Sequence, residues 1–282
     1  MGNENLAERI GGLVAMTSGD GRVDTLMRLT CARALSLLPL PMEVDLIDGG
    51  AEHEPLVRVF AEQFATDVSG INDNQRKLLA TALGDNVFRT VVMMFVADFV
   101  PRVWAGFEAL GLRRHGNGGD VTWDHESDPT DALLNGFLPA VARLKGLDPV
   151  TTEVVRLRGA VQHNCRLCKS RRETNALDAG GSEDLYSEIE HYESSEKLTD
   201  AHKAALQFVD AMIWTPSKIG PELAGRVRKH FSEDQAFELT LDIMRNAANK
   251  IMVSLGVDAP LVTDGTELFT VAEDGQTVSA AQ

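Results

Sequence analysis

Cysteine is scarce in this chain, and its scarcity excludes a fold held together by many disulfides. The 282 residues include only three cysteines, whereas a disulfide framework needs a dense, even-numbered set. We therefore expect a cytoplasmic protein in which the closely spaced thiols of Cys165 and Cys168 form a reversible couple. The third thiol, Cys31, lies among apolar residues at helical spacing and is predicted to be a small buried side chain.

Long hydrophobic runs are also missing. The most apolar stretch, residues 91–97, is bounded by Arg89 and Asp98 and is far shorter than the roughly 20 residues that a membrane span requires. The first residues carry two acids and no apolar segment of the signal-peptide type before Gly11. We expect neither a transmembrane segment nor secretion.

Positive charge is in short supply as well. The chain has 27 Lys and Arg against 42 Asp and Glu, a formal net charge of −15, and such a surface repels nucleic-acid phosphates and anionic membranes. Neither is predicted to be a partner. No glycine-rich nucleotide loop or nucleophile elbow occurs, and no second Cys or His pair completes a zinc site with the close thiols. We expect no cofactor and no metal.

The pattern that is present throughout is helical. Apolar residues recur every three or four positions, as in Val57, Phe60, Ala61 and Phe64, while strand signals are nearly absent. This pattern predicts an all-α fold, a helical bundle. Glycine-rich and polar segments punctuate it, the longest of them across residues 115–129.

These breaks predict a division of the chain into two helical halves, residues 1–114 and 130–260, with 115–129 as the linker. The halves share a faint echo, because Phe64 and Phe208 occupy similar places in them. A degenerate repeat would leave the Cys pair in the second half only, and chance agreement is the alternative. For the tail, 261–282, a hairpin, an arm over a neighbouring subunit and disorder all stay open.

The segment that carries chemistry runs from Glu153 to Cys168. Glu153 lies twelve positions ahead of Cys165 on a predicted helix, and Cys168 follows three residues later. A turn at His163 is expected to precede a second helix that Asn164 caps and that begins at Cys165. Both thiols would then lie in the first turn of that helix, where free amide groups lower the pKa of a thiol.

This run, followed by Asn-Ala-Leu-Asp-Ala-Gly at 175–180, resembles the core of the alkylhydroperoxidase D and carboxymuconolactone decarboxylase superfamily. The resemblance covers about 130–260 and, more weakly, 55–112. It implies an all-helical bundle that forms homo-oligomers and, in peroxidase members, a proton relay of a Glu, two Cys and a His. Carried over by position, Glu153 would be the relay acid, Cys168 the peroxidatic thiolate and Cys165 the resolving thiol.

One position departs from that pattern. The family's His lies four residues after the second Cys, where this chain has Arg172, which cannot exchange a proton near neutral pH but can stabilise a thiolate. A structural ion pair with Glu153, or with Glu173 and Asp178, is the alternative role. His163 could replace the missing imidazole only if its turn folds back over the thiols; otherwise it is a hydrogen-bonded turn residue.

A later segment, residues 234–252, is similar to the closing helix of the same family. Its apolar residues form one face, and Asn246 and Asn249 lie together on another. These amides are expected either to line a pocket near the thiols or to make hydrogen bonds between buried helices.

The resemblance therefore implies a thiol-dependent alkyl hydroperoxidase or disulfide oxidoreductase. Its substrate would be a peroxide and its reductant a dithiol, either lipoylated or thioredoxin-like. Two alternatives stay open: a lyase or isomerase like the decarboxylase branch, with Arg172 as the carboxylate anchor, and a non-catalytic redox-responsive protein that retains the fold.

Overall fold

The computed structural model describes residues 2–46, 50–112 and 121–279, and helices account for most of them. The all-helical fold class is confirmed. The α-helices are α1 (Gly2–Ala15), α2 (Gly21–Leu35), α3 (Glu54–Thr66), α4 (Asp73–Leu83), α5 (Val87–Leu110), α6 (Pro129–Asp131), α7 (Leu138–Ala142), α8 (Pro149–Gln162), α9 (Arg166–Lys169), α10 (Thr174–Asp178), α11 (Glu183–Tyr186), α12 (Asp200–Trp214), α13 (Pro221–His230), α14 (Glu233–Ala247) and α15 (Asn249–Leu255). A π-helical segment, Ala132–Phe137, joins α6 to α7, and 3₁₀ turns occupy Val68–Gly70, Gly84–Asn86, Ser187–Ser194 and Pro216–Lys218.

Helix α5 lies at the centre of the core, in contact with α1, α2, α13 and α14. Its side chains from Thr90 to Trp104 are all buried and, apart from Thr90, Asp98 and Arg102, come from apolar residues, as expected of a helix enclosed by others. Within the described residues, the segment Asp73–Leu110 alone is long and apolar enough to cross a membrane, but 94% of its most apolar window is buried inside the protein. It is therefore a core helix, and cytoplasmic localisation stays a prediction.

Both predicted halves contribute to one hydrophobic core. A continuous cluster of buried apolar side chains extends from Leu6 in α1 to Val253 in α15, and a smaller cluster surrounds Tyr186 and Tyr192. The proposed linker lies partly outside the described residues, since 113–120 are not among them. The two-half division and the repeat stay predictions.

A three-stranded sheet is the feature that the sequence pattern did not predict. Strand β1 (Arg171–Glu173) pairs in parallel with β2 (Glu267–Val271), which pairs antiparallel with β3 (Thr277–Ser279). The C-terminal tail therefore forms a hairpin, one of the three alternatives for 261–282, although 280–282 lie outside the described residues. The sequence signal is weak because β1 is three charged residues long.

The tip of this hairpin docks onto α7. Gly275 adopts a φ of +87°, the left-handed region that favours glycine. A Cβ atom at this position would collide with the carbonyl oxygen of Pro139. Arg143 donates a hydrogen bond to the carbonyl of Asp274 at 2.6 Å. The tail is thereby fixed against the helix that precedes α8.

Candidate active site

The two close cysteines form a disulfide at the junction of α8 and α9, with their Cα atoms 5.3 Å apart. Helix α8 ends at Gln162 with His163 as its C-cap, and Asn164 takes a left-handed φ of +52°, which asparagine tolerates better than most residues. Cys165 is then the N-cap of α9, and its sulfur accepts the Cys168 N–H at 3.2 Å. The prediction that Asn164 caps this helix is wrong, because its backbone conformation is used to make the turn.

The two sulfurs differ in their exposure. Cys165 is fully buried, at 0% exposure, whereas Cys168 is partly exposed and lies on the wall of a cavity of about 530 Å³. A small molecule that enters the cavity therefore meets Cys168, and Cys165 lies behind it. This difference could not be predicted from the motif, which is symmetric in its two thiols.

The cavity wall is mostly apolar. Helices α14 and α15 contribute Asn246 and Asn249, so both predicted amides are on this wall. Three arginines also line it: Arg156, Arg171 and Arg245. The apolar lining includes Phe88, Leu134, Leu138, Ile251, Met252 and Phe269. The volume is within the range of about 300–1,000 Å³ that is typical of small-molecule sites.

Glu153 is held in place by an arginine that the sequence analysis did not single out. Its side chain is 1% exposed, and its carboxylate accepts hydrogen bonds from Arg156 Nε at 2.6 Å and Nη2 at 2.7 Å. It also accepts the Glu173 N–H at 3.2 Å. The three-residue spacing of Glu153 and Arg156 on one helix was the signal that could have revealed this pair.

Arg156 connects the carboxylate to the thiol segment. Its Nη1 donates to the carbonyl oxygen of Cys168 at 2.8 Å, and its Nη2 donates to that of Arg171 at 2.7 Å. One partly buried side chain therefore fixes both the end of α9 and the start of β1. Glu153 is therefore linked to the backbone of the thiol segment through Arg156.

The four-residue spacing predicted that Arg172 lies on the same helix as Cys168, and this prediction is wrong. Helix α9 ends at Lys169 and the chain becomes extended, so Arg172 lies in β1. Its guanidinium forms a fork with Glu183, with bonds of 2.6 and 2.8 Å, and donates to the carbonyl of Lys169. The ion-pair alternative is the observed one, but its partner is Glu183 and not any of the acids expected.

His163 is a buried, hydrogen-bonded residue at the end of α8. It is 3% exposed, and its Nδ1 lies 2.9 Å from Asn249 Oδ1, so the ring donates to the amide oxygen. Burial, with the positive charge of Lys250 as a second cause, lowers the pKa of His163 well below its usual value. Within the described residues this hydrogen bond goes to α15 and not to a thiol.

A second charged group is buried beside this histidine. Asp98 accepts hydrogen bonds from Arg102 at 2.7 and 2.9 Å and forms an ion pair with Lys250 at 2.5 Å. All three side chains are at most 3% exposed. Burial lowers the pKa of Lys250 to about 8. Cys31 is fully buried nearby, as predicted, and burial raises the pKa of its thiol. This thiol is therefore poorly suited to redox chemistry.

Comparisons with known proteins identify relatives over nearly the whole chain. The chain is 56% identical over 269 residues to an uncharacterized protein of Mycobacterium tuberculosis, called Rv2313c in strain H37Rv and MT2376 in strain CDC 1551, with 94% of this chain and 95% of the relative covered. The chain belongs to the family of these mycobacterial proteins. It is also 28% identical over 134 residues to the uncharacterized protein YdfG of Bacillus subtilis, which covers 47% of this chain and 91% of that relative. No family model and no solved structure matches this member of the family.

Proposed function

We propose that the protein is a thiol-dependent oxidoreductase that reduces a hydroperoxide through the Cys165–Cys168 couple. The unequal exposure of the two sulfurs carries this proposal: Cys168 faces an apolar cavity, and Cys165 is buried within disulfide reach of it. An accessible sulfur suits a nucleophile, and a sheltered one suits a resolving thiol.

The reaction begins with the reduced pair. The Cys168 thiolate attacks one peroxide oxygen, the O–O bond breaks, and the leaving alkoxide takes up a proton to become the alcohol. The resulting sulfenic acid is attacked by the Cys165 thiol, which forms the disulfide and releases water. A dithiol then reduces the disulfide and is itself oxidised. The resemblance points to a lipoylated or thioredoxin-like donor and to a homo-oligomer, both of which stay predictions.

Arg156, Arg171 and Arg245 line the same cavity as Cys168, and each guanidinium also pairs with a carboxylate, from Glu153, Glu267 and Asp242 respectively. Glu153 positions Arg156, which holds the Cys168 backbone. The relay that the resemblance implies differs here in its parts, because Arg172 is paired with Glu183 and His163 with Asn249.

A second candidate function is thiol–disulfide exchange without peroxide. It is favoured by the double hydrogen bond of Glu153 to Arg156, because exchange between thiols requires no relay acid. The lyase alternative has less support, since the guanidinium of Arg172, its proposed carboxylate anchor, is engaged by Glu183.

The test is a titration of the reduced protein with cumene hydroperoxide, followed by thiol alkylation and mass measurement. We expect one equivalent of peroxide to oxidise Cys165 and Cys168 and to leave Cys31 reduced. Cys168→Ser should abolish the reaction, Cys165→Ser should stop it at a sulfenic acid, and Cys31→Ala is the matched control that should react normally. Reaction with a disulfide donor but not with peroxide would favour the second candidate, and reaction with neither would refute both.

A further inference from the structure

The cavity beside Cys168 has arginine side chains on its wall, although the protein as a whole carries a net charge of −15. Among the described residues, three arginines and no Asp or Glu line it. Arg156 uses all three of its nitrogens in hydrogen bonds within the protein. Arg171 pairs with Glu267 and donates to Ser279. Arg156 is therefore fully engaged in holding the structure together, whereas Arg171 is held by one ion pair and one hydrogen bond.

Arg245 is anchored at its Nε. Its Nε donates to Asp242 at 2.7 Å, and its side chain is 15% exposed. Within the described part of the chain, no hydrogen bond engages its two terminal nitrogens, Nη1 and Nη2. An arginine anchored through Nε presents this pair side by side, which is the geometry that binds a carboxylate with two parallel hydrogen bonds.

A second free donor lies next to it. The Nδ2 of Asn246 is buried and has no hydrogen-bond partner among the described residues, and Asn246 lies on the same cavity wall as Arg245. Buried donors are nearly always paired in folded proteins, so an unpaired one on a cavity wall is available to an acceptor inside the cavity. A carboxylate offers acceptor oxygens to both residues at once.

The rest of the wall is apolar. Phe88, Leu138, Met252 and Phe269 come from four separate segments and face the same space. Such a surface favours a hydrocarbon or aromatic body over a polar one, because its burial removes apolar area from water. The cavity thus combines an anion-binding side with an apolar side.

We propose that this cavity binds an amphipathic carboxylic acid, with the carboxylate on Arg245 and Asn246 and the apolar body against the opposite wall. The substrate of the site would then be the hydroperoxide of such an acid, an assignment that rests on the proposed function. The binding of an unreactive acid does not, because it involves no thiol chemistry.

The binding test uses the full-length oxidised protein, freed of bound lipid, and titration calorimetry with octanoate and 1-octanol. Octanoate should bind more tightly than the alcohol, and Arg245→Gln should weaken octanoate binding about ten- to a hundredfold, the value of a charge-assisted hydrogen bond, with little effect on the alcohol. Asn246→Ala should weaken it less. Arg58→Gln, an exposed arginine of α3, is the matched control for the lost charge and should have no effect.

Equal binding of octanoate and octanol to the wild-type protein would overturn the proposal without any variant, as would an Arg245→Gln protein that folds and keeps the preference. The kinetic arm compares a fatty acid hydroperoxide with its methyl ester. A preference in kcat/KM for the acid that disappears in Arg245→Gln supports the substrate assignment. Turnover of cumene hydroperoxide with no acid preference leaves the proposed function standing and refutes the carboxylate site. Octanoate binding without any peroxide turnover supports the carboxylate site and refutes the proposed function.

Discussion

The contact between Glu153 and Arg156 gives a direct test of what the acid ahead of the Cys pair does. The carboxylate is 1% exposed and is forked onto a guanidinium that also holds the carbonyls of Cys168 and Arg171. In this geometry the main role of Glu153 is to position Arg156. We expect Glu153→Gln to lower stability strongly and to slow peroxide reduction only in part.

The magnitude follows from burial. Breaking a buried ion pair costs about 3–5 kcal/mol, because one charge is left without its partner. Arg156 is 12% exposed and keeps its two backbone acceptors, so we expect the lower end, about 3 kcal/mol. A loss of that size lowers the Tm by roughly 6 °C in a chain of this length. Glu153→Gln combined with Arg156→Met should recover part of this loss, since no unpaired charge remains.

Urea titration and thermal unfolding of the oxidised protein measure the stability, and stopped-flow peroxide consumption measures the rate. Asp73→Asn, which removes the fully exposed partner of a surface ion pair, is the control and should leave the Tm unchanged. The reasoning is refuted by a Glu153→Gln protein that melts like the wild type and yet no longer reduces peroxide. That result would make Glu153 the relay acid that the resemblance implies.

Three further predictions concern the frame around the site. Asp98→Asn should lower the free energy of unfolding by at least about 3 kcal/mol in urea titration, because it leaves buried Arg102 and Lys250 unpaired. Lys250→Met should lower it by less, because the ion pair of Asp98 with Arg102 survives. A larger loss in Lys250→Met than in Asp98→Asn would contradict this reasoning. The pKa of His163 is lowered in the folded protein, so below about pH 6.5 only the unfolded chain binds a proton at this residue. Stability should therefore fall by up to about 1.4 kcal/mol per pH unit as the pH decreases. His163→Gln should show a shallower fall, and an equal slope in the two proteins counts against this assignment. Gly275→Ala should speed amide hydrogen exchange across 267–279, since the new Cβ collides with the α7 carbonyl; unchanged protection would show that the hairpin tip is not docked there.

The fold class and the buried state of Cys31 could be predicted from the sequence because both depend on local spacing. Apolar residues at helical intervals determine which face of a helix is buried, and Cys31 lies on such a face in α2. The amides of Asn246 and Asn249 were likewise placed together from helical geometry, and both line the cavity.

The position of Arg172 could not be predicted in this way. Its assignment to the face of Cys168 assumed that the helix continues for another turn, but α9 ends at Lys169. The chain is extended there because β2, from the far end of the sequence, pairs with Arg171–Glu173. Neither that pairing nor the contact with Glu183 has a local sequence signal, since both depend on how distant segments pack.

The same dependence on distant segments explains why a Cys-x-x-Cys motif alone cannot specify a substrate. The motif determines that two sulfurs can meet, but the cavity that reaches Cys168 is built from α5, the π-helical segment, α14, α15 and the C-terminal hairpin. Arg156 connects these parts, because it holds both the Cys168 carbonyl and the carbonyl of Arg171 at the start of β1. A relative with the same thiols but a different hairpin or a different residue at Arg245 would keep the redox couple and change what reaches it.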